Sequence, residues 1–428
     1  MNPEIMQFLT STGMTLAIGN DAAQQCAAYC AAQGWQHPLI VADDNTWLAM
    51  GQAVEQALQA QSIQPRRVIL QGSHGAVHAD EHSLAQLLLA LEPQMDGLIA
   101  VGSGTITDIT RFVSHRALRP FVSIPTAASV DAYASITAAI TIAGSKHSLM
   151  AQQPWAIFIS PKVLAEAPPA MTAAGFGDML AKITALADWQ LAHILTGEAL
   201  DTTLLQLAQH SLQNCIGHAE AIGARTEAGL RVLIEGLLVS GVCMAKANSS
   251  RPAAGAEHSL SHFWEMTHNW SPEPMPLHGL RTGAAAVNIA YFYQKLAALS
   301  LDALKMSLAS AQLPEPQAEI DGIVQAYGAV APEIIARPCS LLAMSAEQFD
   351  SLKAALIERY DEVHTLAASL PTAPEVSALL RKGGAPSAPR EVGIPPHEIR
   401  TALRWGMYTR NRLTILEISI LSGIQSTH

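Results

Sequence analysis

Short apolar runs that alternate with helical stretches in the first part of the chain limit its fold more than any other feature. Met14–Ile18, His37–Ala42, Arg67–Leu70, Gly97–Val101 and Phe121–Ile124 each read as a short strand, and helical patterns fill the gaps between them. This is the spacing of right-handed βαβ units, which predicts a parallel sheet with helices on both faces. Two further runs, Ser135–Ala143 and Ala156–Ser160, flank Gly144 and Ser145 and predict a hairpin. The Pro168-Pro169 pair breaks the chain, and beyond GFGDMLAK (Gly175–Lys182) the pattern changes to helix throughout. Helices are expected near 178–195, 200–220, 226–247, 255–268, 280–298, 301–311, 315–330, 346–367 and 395–424. Pro371–Pro396, rich in Pro, Gly, Ala and Ser, reads as a mobile loop. The fold class expected is α/β: a Rossmann-like domain with a parallel sheet at 1–170, followed by an all-α domain at 171–428.

Composition fits two domains of ordinary size in 428 residues. Hydrophobic residues make up 49% and charged residues 14%, so most helices must pack on one another. A net charge of −11 with no basic run argues against a nucleic-acid partner. The five cysteines are scattered and odd in number, which suits buried thiols in a reducing compartment. No basic, apolar leader pattern opens the chain, and no run of eighteen uninterrupted apolar residues follows. A soluble, cytoplasmic protein with no membrane partner is expected.

Four stretches carry candidate chemistry. Gly102-Ser103-Gly104 falls between a strand and a helix start, where it is either a tight turn or a backbone cradle for a pyrophosphate. It follows the fourth strand, unlike the ordinary dinucleotide fingerprint after the first. Asp43, after the second strand, is either a helix N-cap or an acceptor for a ribose hydroxyl. Pro125–Asp131 is a loop of small residues and hydroxyls, with Asp131 a cap or a ligand contact. Asp178 reads as a first-turn carboxylate that either serves its helix end or binds a metal. The metal reading gains weight from Glu257–His262 (EHSLSH) and Leu277-His278-Gly279, because one Asp and two separated His with an open position suit a catalytic divalent ion.

Taken in order, VGSGTITDITR, SIPTAASVDAYAS, GFGDMLAK, SSRPAAGAEHSLSHFWE and PLHG resemble the sn-glycerol-1-phosphate dehydrogenase family. That family lies within the iron-dependent alcohol dehydrogenase and dehydroquinate-synthase superfamily. The resemblance runs from about Leu39 to RNRLTILEIS (Arg410–Ser419). Lys182 stands where plain iron-dependent alcohol dehydrogenases tend to carry His, and Asp178 where dehydroquinate synthases use Glu. The resemblance implies that Gly102, Ser103, Gly104, Thr105, Asp108, Thr126 and Ser129 hold NAD or NADP, with Asp43 on the ribose and Ser135 near the nicotinamide. It implies Asp178, His258 and His278 as ligands of one divalent metal, zinc first and nickel or iron as substitutes, with Asp131 and His262 as catalytic contacts to substrate. His262, one helical turn from His258, shares its face.

The implied reaction interconverts dihydroxyacetone phosphate and sn-glycerol 1-phosphate in a homo-oligomer. The alternatives are a glycerol or other polyol dehydrogenase of the same superfamily, and a phosphate-eliminating cyclase like dehydroquinate synthase. One departure stands out: the family pattern HGExVG reads here His278-Gly279-Leu280-Arg281-Thr282-Gly283. Loss of a carboxylate there is expected to loosen His278 or weaken the metal. Lys146, Lys182, Arg251 and Arg281 are the cations available to a substrate phosphate, and Lys182 and Arg251 read equally as carboxylate partners that support packing.

Overall fold

The computed structural model describes residues 3–72, 75–268 and 275–427. The chain divides into two compact units, Met1–Phe176 with Gly217–Ser249, and Gly177–Ile216 with Ser250–His428. The second segment of the first unit includes the long helix Glu227–Ala247, so the chain returns to its first unit after leaving it. A single boundary at 170/171 does not describe that return.

In the first unit six strands form one sheet: β1 (Thr15–Ile18), β2 (Leu39–Ala42), β3 (Arg66–Ile69), β4 (Leu98–Gly102), β5 (Phe121–Pro125) and, after two hairpin strands, β8 (Ala156–Ile159). Their spatial order is β1-β8-β5-β4-β2-β3, and every pairing is parallel. Side chains alternate across the sheet as the pleat requires. Ile40, Ala42, Ile99 and Val101 enter the core on one face with Cys26, Cys30, Val54 and Leu58. Leu39, Val41, Leu98 and Ala100 enter the core on the other face with Leu87, Ile106, Ile109 and Val113. Burial on both faces explains why these strands read as unbroken apolar runs.

The hairpin is real but its second arm is not the expected one. β6 (Thr137–Ile142) pairs antiparallel with β7 (Ser145–Met150), and Ala156–Ile159 is instead the buried strand between β1 and β5. Ala143 and Gly144 make the turn with φ of +50° and +80°, the left-handed pair a two-residue hairpin needs. SKHSLM carries almost no apolar signal because its side chains are largely exposed or half-buried, whereas all four residues of AIFI are buried.

The helix expected from 178 begins at Pro169 and runs to Thr196. Pro169 opens it rather than breaking the chain, since proline lacks only an N–H that a first turn leaves unpaired anyway. Asp178 therefore sits in the third turn, not the first. Pro371–Pro396 is not a loop: Ala373–Lys382 is a helix, boxed at its start by Thr372 and Glu375 and anchored by buried Val376 and Leu380. The expected helix at 395–424 is broken into Pro396–Trp405, a 3-10 turn at Gly406–Thr409, an irregular stretch and Ile415–Leu421. Glu227–Ala247 is long and apolar enough to cross a bilayer by length and composition, yet 78% of its most apolar window is buried within the protein.

The second unit is helical and its core is one contiguous cluster that includes Leu260, Phe263, Trp264, Phe292, Tyr293, Leu356 and Leu416. Helix Ile415–Leu421 is fixed by Glu417, which is fully buried and accepts from Ser340 Oγ at 2.6 Å, Thr414 Oγ1 at 2.8 Å and Thr414 N at 3.0 Å. Burial pushes this carboxyl up to about 7. A raised carboxyl pKa means the folded state holds a proton that the unfolded chain has lost, so its stabilising effect is complete below the unfolded pKa and is lost as pH rises through 7. Between pH 5 and 7 the wild type should lose roughly 2 kcal/mol through this group. Denaturant titrations should show that slope reduced by about the same amount in Glu417→Gln. An unchanged slope would exclude the assignment.

Candidate functional site

Helix Pro169–Thr196 and helix His278–Ala297 meet backbone to backbone in the second unit. A methyl group on Gly177 would lie 2.3 Å from Gly279 O, and one on Gly283 would lie 2.8 Å from Gly177 Cα. Small residues on both helices are what permit this approach. It brings Asp178, one residue after Gly177, beside His278, one residue before Gly279. The helix Ala256–Thr267 adds His258, and one donor atom from each of Asp178, His258 and His278 lies within 4.8 Å of the others. These three residues, which the sequence singles out far apart, are thus together in one unit.

Asp178 and His258 are each held by a partner. Lys182 Nζ donates to Asp178 Oδ1 and to Asp178 O, both at 2.9 Å, with both side chains buried. His258 Nδ1 lies 2.8 Å from Glu257 Oε1, and its Nε2 lies 3.7 Å from Asp178 Oδ1. A carboxylate on Nδ1 sets the tautomer that leaves Nε2 as a lone-pair donor. Glu257 also accepts from Gly255 N at 2.7 Å and Thr184 Oγ1 at 2.6 Å. Burial pushes the Glu257 carboxyl up, and burial together with the nearby Glu257 charge pushes Asp188 up to about 7. Asp178, Asp188 and Glu257 are all fully buried. Two imidazoles and one carboxylate are a donor set that fits a divalent cation.

His262 stacks beside His278 with ring centroids 5.5 Å apart. Its Nε2 lies 2.7 Å from Arg410 Nη2, and since a guanidinium only donates, Nε2 is the acceptor. Nδ1 faces Glu265 Oε2 at 3.5 Å. Burial, then the Arg410 charge, hold the His262 pKa well below the usual range, so the ring is neutral.

Three of the four expected phosphate cations are engaged with the scaffold. Lys182 is on Asp178; Arg251 grips Glu198 through Nε at 2.6 Å; Arg281 reaches Glu265 at 3.1 Å, Ser261 Oγ at 3.2 Å and the Pro276 carbonyl. Arg410 and Arg412, which the sequence reading passed over as cations, lie beside this constellation instead. A continuous helix at 395–424 gave them no special place; the break at Gly406 puts them in an irregular stretch.

In the first unit, β2 leads outward to β3 and β4 leads the opposite way to β5, so the carboxyl ends of β2 and β4 flank a topological switch point. Ligands of open α/β sheets bind at such a point. Asp43 follows β2, and Gly102, Ser103, Gly104 and Thr105 form the end of β4 and the start of helix Gly104–Arg116. Ser103 is the N-cap residue, yet its side chain makes no capping hydrogen bond. Thr126 N donates to Gly102 O at 3.2 Å, placing the loop after β5 beside that turn. Asp43 caps its helix: Oδ1 accepts from Thr46 N at 2.8 Å in a full capping box.

Several residues expected at the dinucleotide are tied into the scaffold. Asp108 pairs with Arg111 at 2.7 Å, and burial pushes it up to about 6. Arg111 also holds the carbonyls of Ala132, Tyr133 and Thr137, so the pair fixes the turn between Ser129 and Thr137. Ser129 Oγ lies 3.3 Å from Tyr133 Oη, Ser135 Oγ 3.0 Å from Thr137 Oγ1, and Asp131 accepts from Ser240 Oγ at 2.8 Å.

The first unit is thus a parallel α/β unit with a glycine turn at its switch point, and the second a helical unit with an Asp-His-His group that could hold a metal ion. Residues 17–168 match the iron-containing alcohol dehydrogenase family. A glycerol-1-phosphate dehydrogenase (NAD(P)+) of Geobacillus stearothermophilus is 36% identical over 94% of this chain and 91% of its own length. The enzyme of that name from Bacillus subtilis is 42% identical over 66% of this chain and 72% of its own. Among solved structures, glycerol dehydrogenase from Schizosaccharomyces pombe superposes with a TM-score of 0.62 at 15% identity, covering 97% of this chain and 89% of that one, which speaks to the fold alone. The chain belongs to the glycerol-1-phosphate dehydrogenase family.

The crossing at Gly177 yields a test of how the site is held. Alanine in a helix interior ordinarily gains about 1 kcal/mol over glycine. Here the added methyl meets a backbone carbonyl, so Gly177→Ala should lose about 1–3 kcal/mol in denaturant unfolding. A gain in stability would show that the two helices do not approach as described.

Proposed function

We propose that the protein is an NAD(P)-dependent dehydrogenase that interconverts dihydroxyacetone phosphate and sn-glycerol 1-phosphate with the help of one divalent metal. The observation that carries the reading is the convergence of Asp178, His258 and His278 in a chain of this family. Zinc suits one carboxylate and two imidazoles, and nickel or iron would be accepted by the same donors. A metal held there supplies Lewis-acid polarisation of a carbonyl, and a nicotinamide supplies the hydride.

The chain's own residues supply position. Glu257 orients His258, and Lys182 orients Asp178. His262, next to His278 and held by Arg410 at Nε2, is placed to contact what the ligand set holds. In the first unit the backbone of Gly102–Thr105 at the helix start suits a pyrophosphate, and Asp43 has its second carboxylate oxygen to offer a ribose. Asp108 and Arg111 hold the turn from Ser129 to Ser135, which bears the hydroxyls and Asp131. Five cysteines, all thiols, support a reducing, cytoplasmic setting.

Two outcomes test this reading. Asp178→Ala, His258→Ala and His278→Ala should each lose bound metal by elemental analysis while keeping the wild-type circular dichroism, and Glu257→Gln should weaken metal affinity about 10–100-fold. Full metal occupancy in His278→Ala would refute the ligand set. In a stopped assay of NADH oxidation, dihydroxyacetone phosphate should exceed dihydroxyacetone at least ~100-fold in kcat/KM, because binding of the remote phosphate is used at the reacting centre. Equal use of both ketones would make the protein a general polyol dehydrogenase, and phosphate release without net NADH loss would make it a cyclase.

A further inference from the structure

We infer that Arg410 and Arg412, meeting at Ser250 beside His262, form the seat for the phosphate of a small phosphorylated ketone. Both guanidinium groups donate to one hydroxyl: Arg410 Nη1 to Ser250 Oγ at 3.2 Å and Arg412 Nη2 at 2.9 Å. Arg412 Nη1 also reaches Ala254 O at 2.8 Å, which ties it to the segment leading into His258. Arg251, the neighbour of Ser250, joins the cluster but is neutralised by Glu198 in a two-point pair.

Like charges gathered in this way repel. Burial first, then Arg410 and Arg251, push the Arg412 pKa down to about 9, with Glu198 and Glu257 opposing. A dianion would relieve the repulsion between the two guanidinium groups that meet at Ser250 and would find forked donors suited to its oxygens. The placement agrees with the size of the ligand. Arg410 touches His262, whose ring lies 5.5 Å from that of His278, so an anion on Arg410 sits within the reach of a three-carbon substrate whose carbonyl is near the ligand set.

This inference rests on the phospho-polyol reading, and the experiment separates the two. Binding of inorganic phosphate to the metal-loaded protein is measured by calorimetry, alongside kcat/KM for dihydroxyacetone phosphate and dihydroxyacetone, in wild type, Arg412→Gln, Arg412→Lys and Arg410→Gln. Losing one forked charge should weaken phosphate binding and collapse the ratio of the two kcat/KM values at least ~30-fold in Arg412→Gln. Lysine keeps charge without the fork, so Arg412→Lys should lose roughly 10-fold, and it decides the matter if the glutamine variant does not fold. Unchanged phosphate binding in the Arg412 variants, or an equal fall for both ketones, overturns the seat even if dihydroxyacetone phosphate remains the preferred substrate. Phosphate binding that depends on Arg412 in a protein that reduces no phosphorylated ketone leaves the seat standing and removes the proposed reaction.

Discussion

The second unit depends on burying carboxylates in a helical interior where each must find donors. An unpaired buried charge costs several kcal/mol, so such groups dictate what packs around them. Asp188 shows how: Oδ1 accepts from Tyr293 Oη at 2.6 Å and Ile415 N at 2.9 Å, and Oδ2 from Ala256 N at 2.7 Å. One side chain on helix Pro169–Thr196 thereby fixes the start of two other helices and a tyrosine on a third. Gly255 must be glycine beside it, since a methyl there would lie 2.6 Å from Asp188 Oδ2. Ala256 and Gly255 are bound in turn to Asp188 and Glu257, so the position of His258 follows from acidic groups that are not themselves ligand candidates.

The first unit solves a different problem with fewer polar groups. Two apolar faces hold the sheet, and the ends of β2 and β4 are left to irregular backbone at the one place where the strand order reverses. The Asp108–Arg111 pair is the main buried charge near that place, and its guanidinium collects carbonyls from 132–137. A loop of small residues has little packing of its own. Its shape is therefore imposed from the helix that begins at the glycine turn, which links the cradle to the loop beside it.

Much of this was legible from residues alone, for reasons that differ by element. LIVA and LIAVG are buried on two faces, so continuous apolar runs mark them. SKHSLM was illegible as a strand because an outer hairpin arm has no apolar period to display, and the buried AIFI was more attractive in its place. Asp178 was set in a first turn because the prolines before it look like a break until their place at a helix start is known. Val376 and Leu380 carried a helical spacing that Pro, Gly and Ser composition obscured. The Asp-His-His set could be suspected from its donor types and was strengthened by family motifs, since eighty residues separate Asp178 from His258. Arg410 and Arg412 escaped because a guanidinium gains meaning from what it faces, and that depended on a helix break at Gly406.

The departure from the family pattern after His278 also takes a physical meaning from its surroundings. Leu280 packs against the apolar core of the unit, so the position that is usually acidic serves burial here. Arg281 places its charge on Glu265 and its other donors on Ser261 and the Pro276 carbonyl, inside the protein. Burial pushes the Arg281 pKa down and the Glu265 charge opposes that shift, as expected of a pair that is partly self-neutralised. Glu265 is the same carboxylate that faces His262 Nδ1. Arg281 is therefore committed to Glu265 and the scaffold rather than offered to substrate, while burial first and then the Arg410 charge hold the His262 pKa below its usual range. A substitution that looks in sequence like a new anion contact serves, in this packing, the interior of the unit.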